Sequence, residues 1–467
     1  MSQAGNVTKD ASGRSSARTV RADGKIGIKM YRHNLIWVAI FGVIVLMFLR
    51  LPPMAAKQDA VVNTYSALVE VDALAKQQFV DPITDDRLVD GAIRGMMFQL
   101  DPYSGYIAPQ ELPAFERRSR GVFSGVGIEI GMLDGQLMVI APIEESPAAR
   151  AGVLAGDAIL AIDGRELDGR SVFDAEELLV GPSGTAVRIR IRHQGQRQAK
   201  ELTIVRGPVS LKSVRGFRRH ADGRWDYGID PEWRIGYIRV ANFRDNTMHE
   251  FDAALRTLLD QSARALILDL RFNPGGVMHP AAEMVDRFVD QGLILSTVTR
   301  RGAVDEYYAT PENTVGDLKL VVLVNGSSAS SAEIVAGALQ ARKRALIVGQ
   351  RSFGKGSVQH LIHLSGHRAA IKLTVAYYRL PDGSIIHRTE QNSASDAWGV
   401  KPDVGIVLSD EEVQAIQVAR RALDVGPGEN PDSSANVLTL EIARDRQLRE
   451  ALEVARRQIE NRSDFGD

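Results

Sequence analysis

The chain of 467 residues contains no cysteine. This absence excludes disulfides, thiolate metal ligands and a cysteine nucleophile, and it suits any redox compartment. An excess of charge of one sign is also missing, because 57 Lys and Arg stand against 58 Asp and Glu. The balance gives no indication of a nucleic-acid or other polyanionic partner. Apolar residues make up 44% of the chain, and its length allows roughly two to four domains with at least one sizeable core.

The N-terminus differs from the rest of the chain. Residues 1–33 are polar and rich in Lys and Arg, and they are predicted to be disordered. The fifteen residues from Leu35 to Leu49 carry no charge and would span roughly 22 Å as a helix, short of the roughly 30 Å of a bilayer core. Arg50 can snorkel, and the residues from Leu51 to Ala56 lengthen the apolar path. The basic residues before the run therefore predict an uncleaved signal anchor, with a cleaved signal peptide or a buried core helix as alternatives.

Hydrophobic spacing divides the remainder into segments of different character. Residues 61–115 repeat apolar residues at helical spacing, whereas residues 121–208 show short alternating strands with one short helix. From Ile235 onwards strands and helices alternate, which is typical of an α/β domain. The last segment, residues 410–467, is helical and charged.

The stretch from Val348 to Gln359, V-G-Q-R-S-F-G-K-G-S-V-Q, contains the G-x-x-x-x-G-K spacing of a phosphate-binding loop. Such a loop requires Ser or Thr directly after the lysine, followed by a helix. Here Gly356 follows Lys355, and the residues after it alternate as in a strand. Nucleotide binding is therefore not predicted.

Four serines lie on a turn between an apolar strand and a helix, in N-G-S-S-A-S-S-A-E. A serine here would face backbone N–H groups and a helix dipole that favour an anionic intermediate. The alternative is purely structural, because Ser330 and Glu333 form the S-x-x-E pattern of a capping box. No histidine is an obvious partner, since His360 and His363 fall on a predicted strand. Lys355 could act as the base if it is desolvated, and the alternative is a solvated turn lysine.

The segment from Val321 to Gln359 resembles the active-site signature of the carboxyl-terminal processing peptidases, or tail-specific proteases. The resemblance implies that Ser330 is the nucleophile and Lys355 the base, with Gln359 orienting the amine. It also implies an oxyanion hole formed by the backbone N–H groups of Gly276 and Ser331.

Two details of the sequence bear on the assignment of these site residues. The family pattern S-A-S-A-S-E is S-A-S-S-A-E in this chain, which leaves Ser328 and Ser331 as alternative nucleophiles. The family turn L-R-x-N-P-G-G is present from Leu270 to Gly276, and its glycines allow a close approach of backbone to substrate.

The resemblance covers about residues 60–410. V-D-P at Val80 and L-D-P-Y-S at Leu100 resemble the N-terminal helical region of the family. A departure is the inserted segment from His387 to Trp398, which affects the expected substrate shape near the cleft. S-G-V-G-I-E-I and the stretch from Ser146 to Gly164 resemble a PDZ domain. The expected tail-binding residues are Ser124, Gly125, Val126, Gly127 and Ile128, in a nest for a carboxylate, and an ordinary hairpin turn is the alternative.

The resemblance implies a multidomain α/β protein with a PDZ β-domain, an α/β (crotonase-like spiral) protease core and C-terminal helices. The predicted parts are a disordered N-terminus (1–33), a signal anchor (34–56), an N-terminal helical region (57–118), a PDZ domain (119–208), a Ser/Lys protease core (209–410) and a C-terminal helical segment (411–467).

The expected function is that of a serine endopeptidase that cuts exported proteins near their C-termini, without a metal or other cofactor. The alternative is a membrane-anchored PDZ scaffold with an inactive protease domain. The expected partners are proteins with apolar C-terminal tails, an adaptor or activator protein, and the membrane through residues 35–49; oligomers are also considered. The anchor predicts a bacterial inner-membrane protein with its catalytic part in the periplasm or otherwise outside the cytoplasm, or a secreted protein if the segment is cleaved.

Overall fold

A computed structural model of the chain describes residues 27–120, 122–133, 135–167, 172–220, 222–302, 304–312, 314–425 and 445–463. Residues 1–26 of the predicted disordered segment, and residues 426–444 and 464–467 of the predicted C-terminal helices, lie outside the described residues. The chain divides into two compact units, residues 1–91 and 92–467.

The helices of the described residues are α1 (Gly27–Gln78), α2 (Asp85–Phe98), α3 (Leu112–Arg120), α4 (Pro147–Arg150), α5 (Val172–Leu179), α6 (Thr247–Asp260), α7 (Met278–Asp286), α8 (Ser331–Ala341), α9 (Asp410–Val425) and α10 (Arg446–Ser463). The first strands are β1 (Gly105–Ile107), β2 (Val122–Gly125), β3 (Ile128–Leu133), β4 (Gln136–Pro142), β5 (Ala158–Ile162), β6 (Arg165–Glu166), β7 (Ala186–Arg192), β8 (Lys200–Val205), β9 (Gly207–Ser210), β10 (Val214–Arg215) and β11 (Arg218–Arg219). The remaining strands are β12 (Trp225–Asp226), β13 (Gly228–Asp230), β14 (Ile235–Val240), β15 (Ala265–Asp269), β16 (Gly292–Thr299), β17 (Val304–Ala309), β18 (Lys319–Val324), β19 (Leu346–Gly349), β20 (Ser357–His363), β21 (Ala370–Arg379) and β22 (Val404–Gly405).

In the N-terminal unit, residues 27–78 form α1, and α2 begins at Asp85. α1 is continuous through the apolar run and into the region that was predicted to be helical from residue 61. In the part of the chain that the structure describes, no helix is both long and apolar enough to cross a membrane. The anchor over residues 34–56 therefore stays a prediction.

The region predicted to be helical over residues 57–118 also contains a strand, which corrects the sequence interpretation. β1 pairs antiparallel with β21, which lies more than 260 residues further along the chain. The carboxylate of Asp101 accepts hydrogen bonds from the backbone N–H groups of Tyr103 and Ser104, at 2.7 and 2.8 Å. This local turn competes with helical hydrogen bonding and redirects the chain into the strand.

The predicted strands and helix of the PDZ region are present. One sheet has the strand order β3-β4-β5-β7-β8, with β6 paired to β5, and β2 pairs separately with β9. Alternate residues of β7 are buried, as expected for a sheet with one face in the core. β3 lies at the edge of its sheet, beside α5, so its outer side has no neighbouring strand in that sheet.

The predicted α/β region is built on a sheet in which β14, β15, β18, β19 and β22 are parallel, with β10 and β13 antiparallel to β14. Every residue of β14 and β15 is buried, because both faces of the sheet are covered. Apolar residues of α6, α7 and α8 pack on one face, and those of α10 pack on the other. This arrangement brings the ends of β15, β18 and β19 together.

A second, antiparallel sheet was not identified from the sequence, apart from the strand expected around His360. Its order is β1-β21-β16-β17, and β20 also pairs with β21. β20 and β21 carry Gln359 and Tyr378, so this sheet contributes side chains to the site described below.

Candidate active site

The strand, turn and helix predicted around the serines are present, and they hold Ser330 in an uncommon backbone conformation. β18 ends at Val324, and α8 begins directly after Ser330. Ser330 has φ 56° and ψ −117°, a conformation that non-glycine residues adopt only where the surrounding fold compensates for the strain. The first nine residues of α8 are buried. The positive end of the helix dipole therefore acts on Ser330 in a poorly solvated environment.

The side chain of Ser330 contacts a tyrosine that the sequence analysis did not identify. Ser330 Oγ lies 2.9 Å from the hydroxyl oxygen of Tyr378, and only 3% of Tyr378 is exposed. Burial raises the pKa of Tyr378 to about 12, so the phenol keeps its proton and can donate a hydrogen bond to Ser330 Oγ. No spacing or motif in the sequence connects the two residues.

Glu333 links the serine turn to the G-K-G turn. Its carboxylate is fully buried and accepts hydrogen bonds from the backbone N–H groups of Ser330 and Lys355, each at 2.8 Å. It also accepts from the Gly354 N–H at 2.7 Å and from Ser352 Oγ at 2.5 Å. Burial raises the pKa of Glu333, although the four donors oppose this shift. The contact of Glu333 with the Ser330 N–H is that of a capping box, and the same carboxylate also fixes the turn that carries Lys355.

Lys355 lies in the loop between β19 and β20, which confirms that a strand, and not a helix, follows the G-K-G turn. Its Nζ is 5.1 Å from the centre of the Tyr103 ring. Burial and the nearby charge of Lys372 lower the pKa of Lys355, against the influence of Glu333 and Asp101. This environment favours a neutral amine. Among the described residues, Lys355 Nζ and Ser330 Oγ do not form a hydrogen bond with each other. Ser330 Oγ is hydrogen-bonded to the Tyr378 hydroxyl instead.

Gln359 lies on β20 of the second, antiparallel sheet, and its side chain donates hydrogen bonds to residues other than Lys355. Its Nε2 donates to Ser357 Oγ at 2.9 Å and to Thr374 Oγ1 at 3.2 Å. Thr374 Oγ1 in turn donates to the carboxylate of Asp101 at 3.2 Å. The hydrogen-bonded chain connects Gln359 to the L-D-P-Y-S turn, which also supplies the ring beneath Lys355. From the sequence, this turn was predicted only to belong to a helical region.

The other two candidate serines have hydroxyl groups that stabilise neighbouring turns. Ser328 Oγ donates to the carbonyl of Leu270 at 2.8 Å and accepts from the N–H of Asn325 at 2.9 Å. Ser331 Oγ lies within hydrogen-bond distance of the carbonyl of Gly276, at 3.2 Å. Both hydroxyls therefore have structural partners.

The L-R-F-N-P-G-G turn packs directly against the serine turn. A Cβ atom at Gly275 would lie 2.6 Å from Ser330 Cβ, and a Cβ atom at Gly276 would overlap the carbonyl oxygen of Phe243. Both glycines have positive φ, 94° and 142°. Among the residues that the structure describes, the N–H groups of Gly276 and Ser331 donate no hydrogen bond. Two unused donors are what an oxyanion hole requires.

The inserted segment packs on the turn that carries Lys355. The N–H of Arg388 donates to the carbonyl of Gly354 at 2.8 Å. The Trp398 ring lies between two guanidinium groups, with its centre 4.8 Å from Arg351 and 4.5 Å from Arg388. The insertion thus covers the G-K-G turn.

The expected tail-binding loop forms a turn between two strands. The residues at issue are Ser124 and Gly125 at the end of β2, then Val126, Gly127 with φ 78°, and Ile128 at the start of β3. The Val126 N–H donates to the carbonyl of Leu179 at 3.2 Å, so in this conformation it is occupied. A cavity of about 910 Å³ lies beside the loop, and Val126, Gly127 and Ile128 line it. Carboxylate binding by this loop stays a prediction.

The fold and this arrangement define a serine hydrolase with a PDZ domain, and comparison with known proteins gives the family. Peptidase family S41 matches residues 234–406, a PDZ domain matches residues 138–193, and the domain described as "Activating protease CtpB N-terminal domain" matches residues 52–110.

Curated relatives agree with these matches. The chain is 32% identical to the carboxy-terminal-processing protease of Bartonella bacilliformis, over 85% of this chain and 90% of that protein. It is 36% identical to the carboxyl-terminal-processing protease of a Synechocystis species, over 68% and 72%. The solved photosystem II D1 C-terminal processing protease is 31% identical over 70% of this chain and 84% of that chain, with a TM-score of 0.41.

The chain therefore belongs to peptidase family S41, among the carboxy-terminal processing proteases, which are serine peptidases. Its membership of this family confirms the resemblance drawn from the sequence and the expected enzyme class. The boundaries of the predicted domains and the roles of individual site residues stay predictions.

Proposed function

We propose that the protein is an endopeptidase that uses a Ser330–Lys355 dyad and selects substrates by their free C-terminal tails. The observation that carries the proposal is the shared carboxylate of Glu333, which binds the backbone N–H groups of both dyad residues. A carboxylate in this position holds a strained serine and a half-buried lysine on adjoining turns. This contact fixes the backbone of both residues, so that only their side chains have to move for the reaction.

In the proposed mechanism, the neutral amine of Lys355 takes the proton of the Ser330 hydroxyl as Oγ attacks the scissile carbonyl carbon. The N–H groups of Gly276 and Ser331 bind the resulting oxyanion. Protonated Lys355 then gives its proton to the leaving amine, and an acyl-enzyme ester remains. A water molecule, deprotonated by Lys355, attacks the ester and releases the new carboxyl terminus.

Two neighbours would assist this chemistry. The phenol of Tyr378 can donate to Ser330 Oγ, which leaves the serine proton free to move to an amine and stabilises charge that develops on the oxygen. The Lys355 side chain closes on the hydroxyl when substrate is bound. Gln359 then orients the amine, after leaving its present partners on β20 and β21.

The PDZ domain would deliver the tail. The outer edge of β3 is unpaired within its sheet, and a substrate tail can add to it as a further strand. The preferred substrates are proteins with an apolar C-terminal residue and a free carboxylate. We also propose that an activator acts through the N-terminal region and that the protein is anchored outside the cytoplasm. Both proposals assume the same substrates.

The decisive test compares the wild-type chain with Ser330→Ala, Ser328→Ala and Ser331→Ala, using a peptide with an apolar C-terminus. Only Ser330→Ala should abolish cleavage while the protein remains folded. Wild-type activity in Ser330→Ala, or its loss only in one of the other variants, would reassign the nucleophile. An inactive wild-type chain that still binds the peptide would favour the scaffold alternative.

A further inference from the structure

The cavity beside the tail-binding loop is bounded by two chemically different walls. One wall belongs to the PDZ region and is largely apolar, with Ile128 and Ile130 of β3 and Leu179 of α5, although Glu129 and Glu176 also line it. The opposite wall belongs to the protease core and to α9. The residues lining the whole cavity include eight Arg or Lys but only four Asp or Glu. The cavity is therefore largely apolar where a tail would enter and positively charged on the facing side.

The positive wall has more guanidinium groups than nearby carboxylates. Arg239 and Arg215 share the single carboxylate of Asp424, which lies 3.3 Å from Arg215 Nε. That Nε atom is buried and has no hydrogen-bond partner among the described residues. Arg244 donates to two neutral oxygens, the side-chain oxygen of Asn242 at 2.6 Å and the carbonyl of Leu211 at 3.5 Å.

Among the described residues, no ion pair joins Glu250, a further carboxylate beside Arg215 and Arg244, to these side chains. Glu250 accepts hydrogen bonds from the backbone N–H groups of Ser213 and Val214, at 2.7 and 3.0 Å. Burial lowers the pKa of Arg244, and the charge of Arg215 lowers it further, although Glu250 opposes this shift. Buried cations with too few anions nearby attract an anionic ligand, because the interaction is stronger where water is excluded.

The cavity also extends to the turn that packs against the serine turn. Phe272 of the L-R-F-N-P-G-G turn lines it, and this turn continues through Pro274 to Gly276, beside Ser330. A substrate whose last residues occupy the β3 edge and whose scissile bond reaches Ser330 would pass the arginine wall in between. The side chains facing this wall would be those just upstream of the tail.

We propose that Arg215, Arg239 and Arg244 form a subsite for acidic side chains, so that preferred substrates carry Asp or Glu a few residues before an apolar C-terminus. This inference rests on the proposed function in one respect, since the tail must enter the PDZ groove. The subsite affects substrate binding, and not the chemical step at Ser330.

The test measures binding to the full chain carrying Ser330→Ala, so that no peptide is consumed. The first probe is a labelled peptide that ends in Val and has four Glu residues upstream of it. The second has Gln in place of each Glu, and the third is the C-terminal amide of the Glu peptide. At low salt the Glu peptide should bind on the order of tenfold or more tightly than the Gln peptide. The difference should shrink as salt is raised.

Arg244→Gln, combined with Ser330→Ala, should reduce the preference for Glu to less than about twofold, because the Glu peptide loses its added affinity. Arg244→Lys should restore part of the preference, because it restores the charge. Arg457→Gln is the matched control, since Arg457 is 60% exposed on α10 and pairs with Glu450. If Arg244→Gln unfolds, binding of all peptides falls together. The comparison of the Glu and Gln peptides on the Ser330→Ala chain then still decides whether acidic side chains are preferred.

The possible failures can be told apart. Equal binding of the Glu and Gln peptides, with weaker binding of the amide, overturns the acidic subsite but keeps the reading of tails. Equal binding of the acid and amide forms overturns the reading of tails itself. A preference for Glu that survives in Arg244→Gln as fully as in Arg457→Gln places the acidic contact elsewhere and overturns the assignment to these arginines.

Discussion

The backbone N–H groups of Ser330 and Lys355 donate to the same carboxylate oxygen, Oε2 of Glu333, at equal distances of 2.8 Å. The two residues are 25 positions apart in the sequence, and the two turns that carry them meet at this one oxygen atom. The relative position of the proposed nucleophile and base therefore depends on a side chain that takes no proton in the reaction.

Glu333→Gln should impair both stability and catalysis. The amide group would replace an acceptor with a donor among N–H groups, and each unsatisfied buried donor costs about 1–3 kcal/mol. We expect a lower melting temperature and a fall in kcat on the order of 100-fold, because the dyad loses its register. Glu453→Gln, on an exposed side chain of α10, is the control. Full activity in Glu333→Gln would show that the shared contact does not position the dyad.

Tyr378→Phe should lower kcat about ten- to a hundredfold with little change in KM, because a hydrogen bond to a developing alkoxide is lost. Tyr377 is adjacent in the sequence and 43% exposed, so Tyr377→Phe is a matched control that should behave as wild type. Steady-state kinetics on one peptide substrate decide the matter. A faster Tyr378→Phe enzyme would mean that the phenol restrains the serine.

Lys355→Arg should lose activity by roughly 10²- to 10⁴-fold, as for loss of a general base, because a guanidinium keeps its proton. In the wild type, kcat/KM should rise with pH as Lys355 loses its proton. Since the charge of Lys372 helps to lower the pKa of Lys355, Lys372→Gln should move the rising limb to higher pH. Lys401→Gln, 65% exposed, should not. A pH profile that is unchanged in Lys372→Gln would contradict this electrostatic coupling.

The same lowered pKa predicts a cost in stability. The folded state binds fewer protons at Lys355 than the unfolded state does, so stability rises with pH between the lowered pKa and about 10.4, the ordinary value for lysine. Lys355→Met should therefore raise the melting temperature at neutral pH. This increase should shrink as the pH approaches the pKa of free lysine. A melting temperature that is lower in Lys355→Met at neutral pH would contradict the desolvation argument.

Gly276→Ala should disrupt the turn opposite Ser330, because its Cβ atom would overlap the carbonyl oxygen of Phe243. We expect a stability loss of about 1–3 kcal/mol and a fall in kcat of roughly 10²- to 10³-fold if the N–H belongs to the oxyanion hole. Gly316→Ala is the control, because no atom lies within 4 Å of a Cβ there. Normal kinetics in Gly276→Ala would remove this residue from the oxyanion hole.

A peptide with a free C-terminal carboxylate should be cleaved about ten- to a hundredfold faster than its amide, as expected for loss of a charge-assisted contact. Deletion of residues 121–207 should narrow this difference. Because the Val126 N–H is bonded to Leu179, tail binding should release that contact, which hydrogen exchange at Val126 can detect. Equal rates for the acid and the amide would show that the PDZ domain does not read tails.

The local sequence was sufficient to predict the secondary-structure elements that carry the two residues of the proposed dyad. The apolar run before the serine turn predicted β18, since a strand covered on both faces must be apolar throughout. Alternation after Lys355 predicted a strand, which excluded a phosphate-binding loop. The S-x-x-E spacing predicted the contact between Glu333 and the Ser330 N–H, because both groups lie in one helical turn.

Tertiary structure alone decided which side chains surround those elements. Tyr378 and Asp101 reach the site through the antiparallel sheet of β1, β20 and β21, whose pairing joins segments more than 260 residues apart. Likewise, Arg215 and Arg244 face the PDZ groove because separate parts of the chain pack together. Hydrophobic spacing specifies which face of an element is buried, but it does not specify which distant face will cover it. The strand, turn and helix were therefore predictable from the sequence, and the phenol beside Ser330 was not.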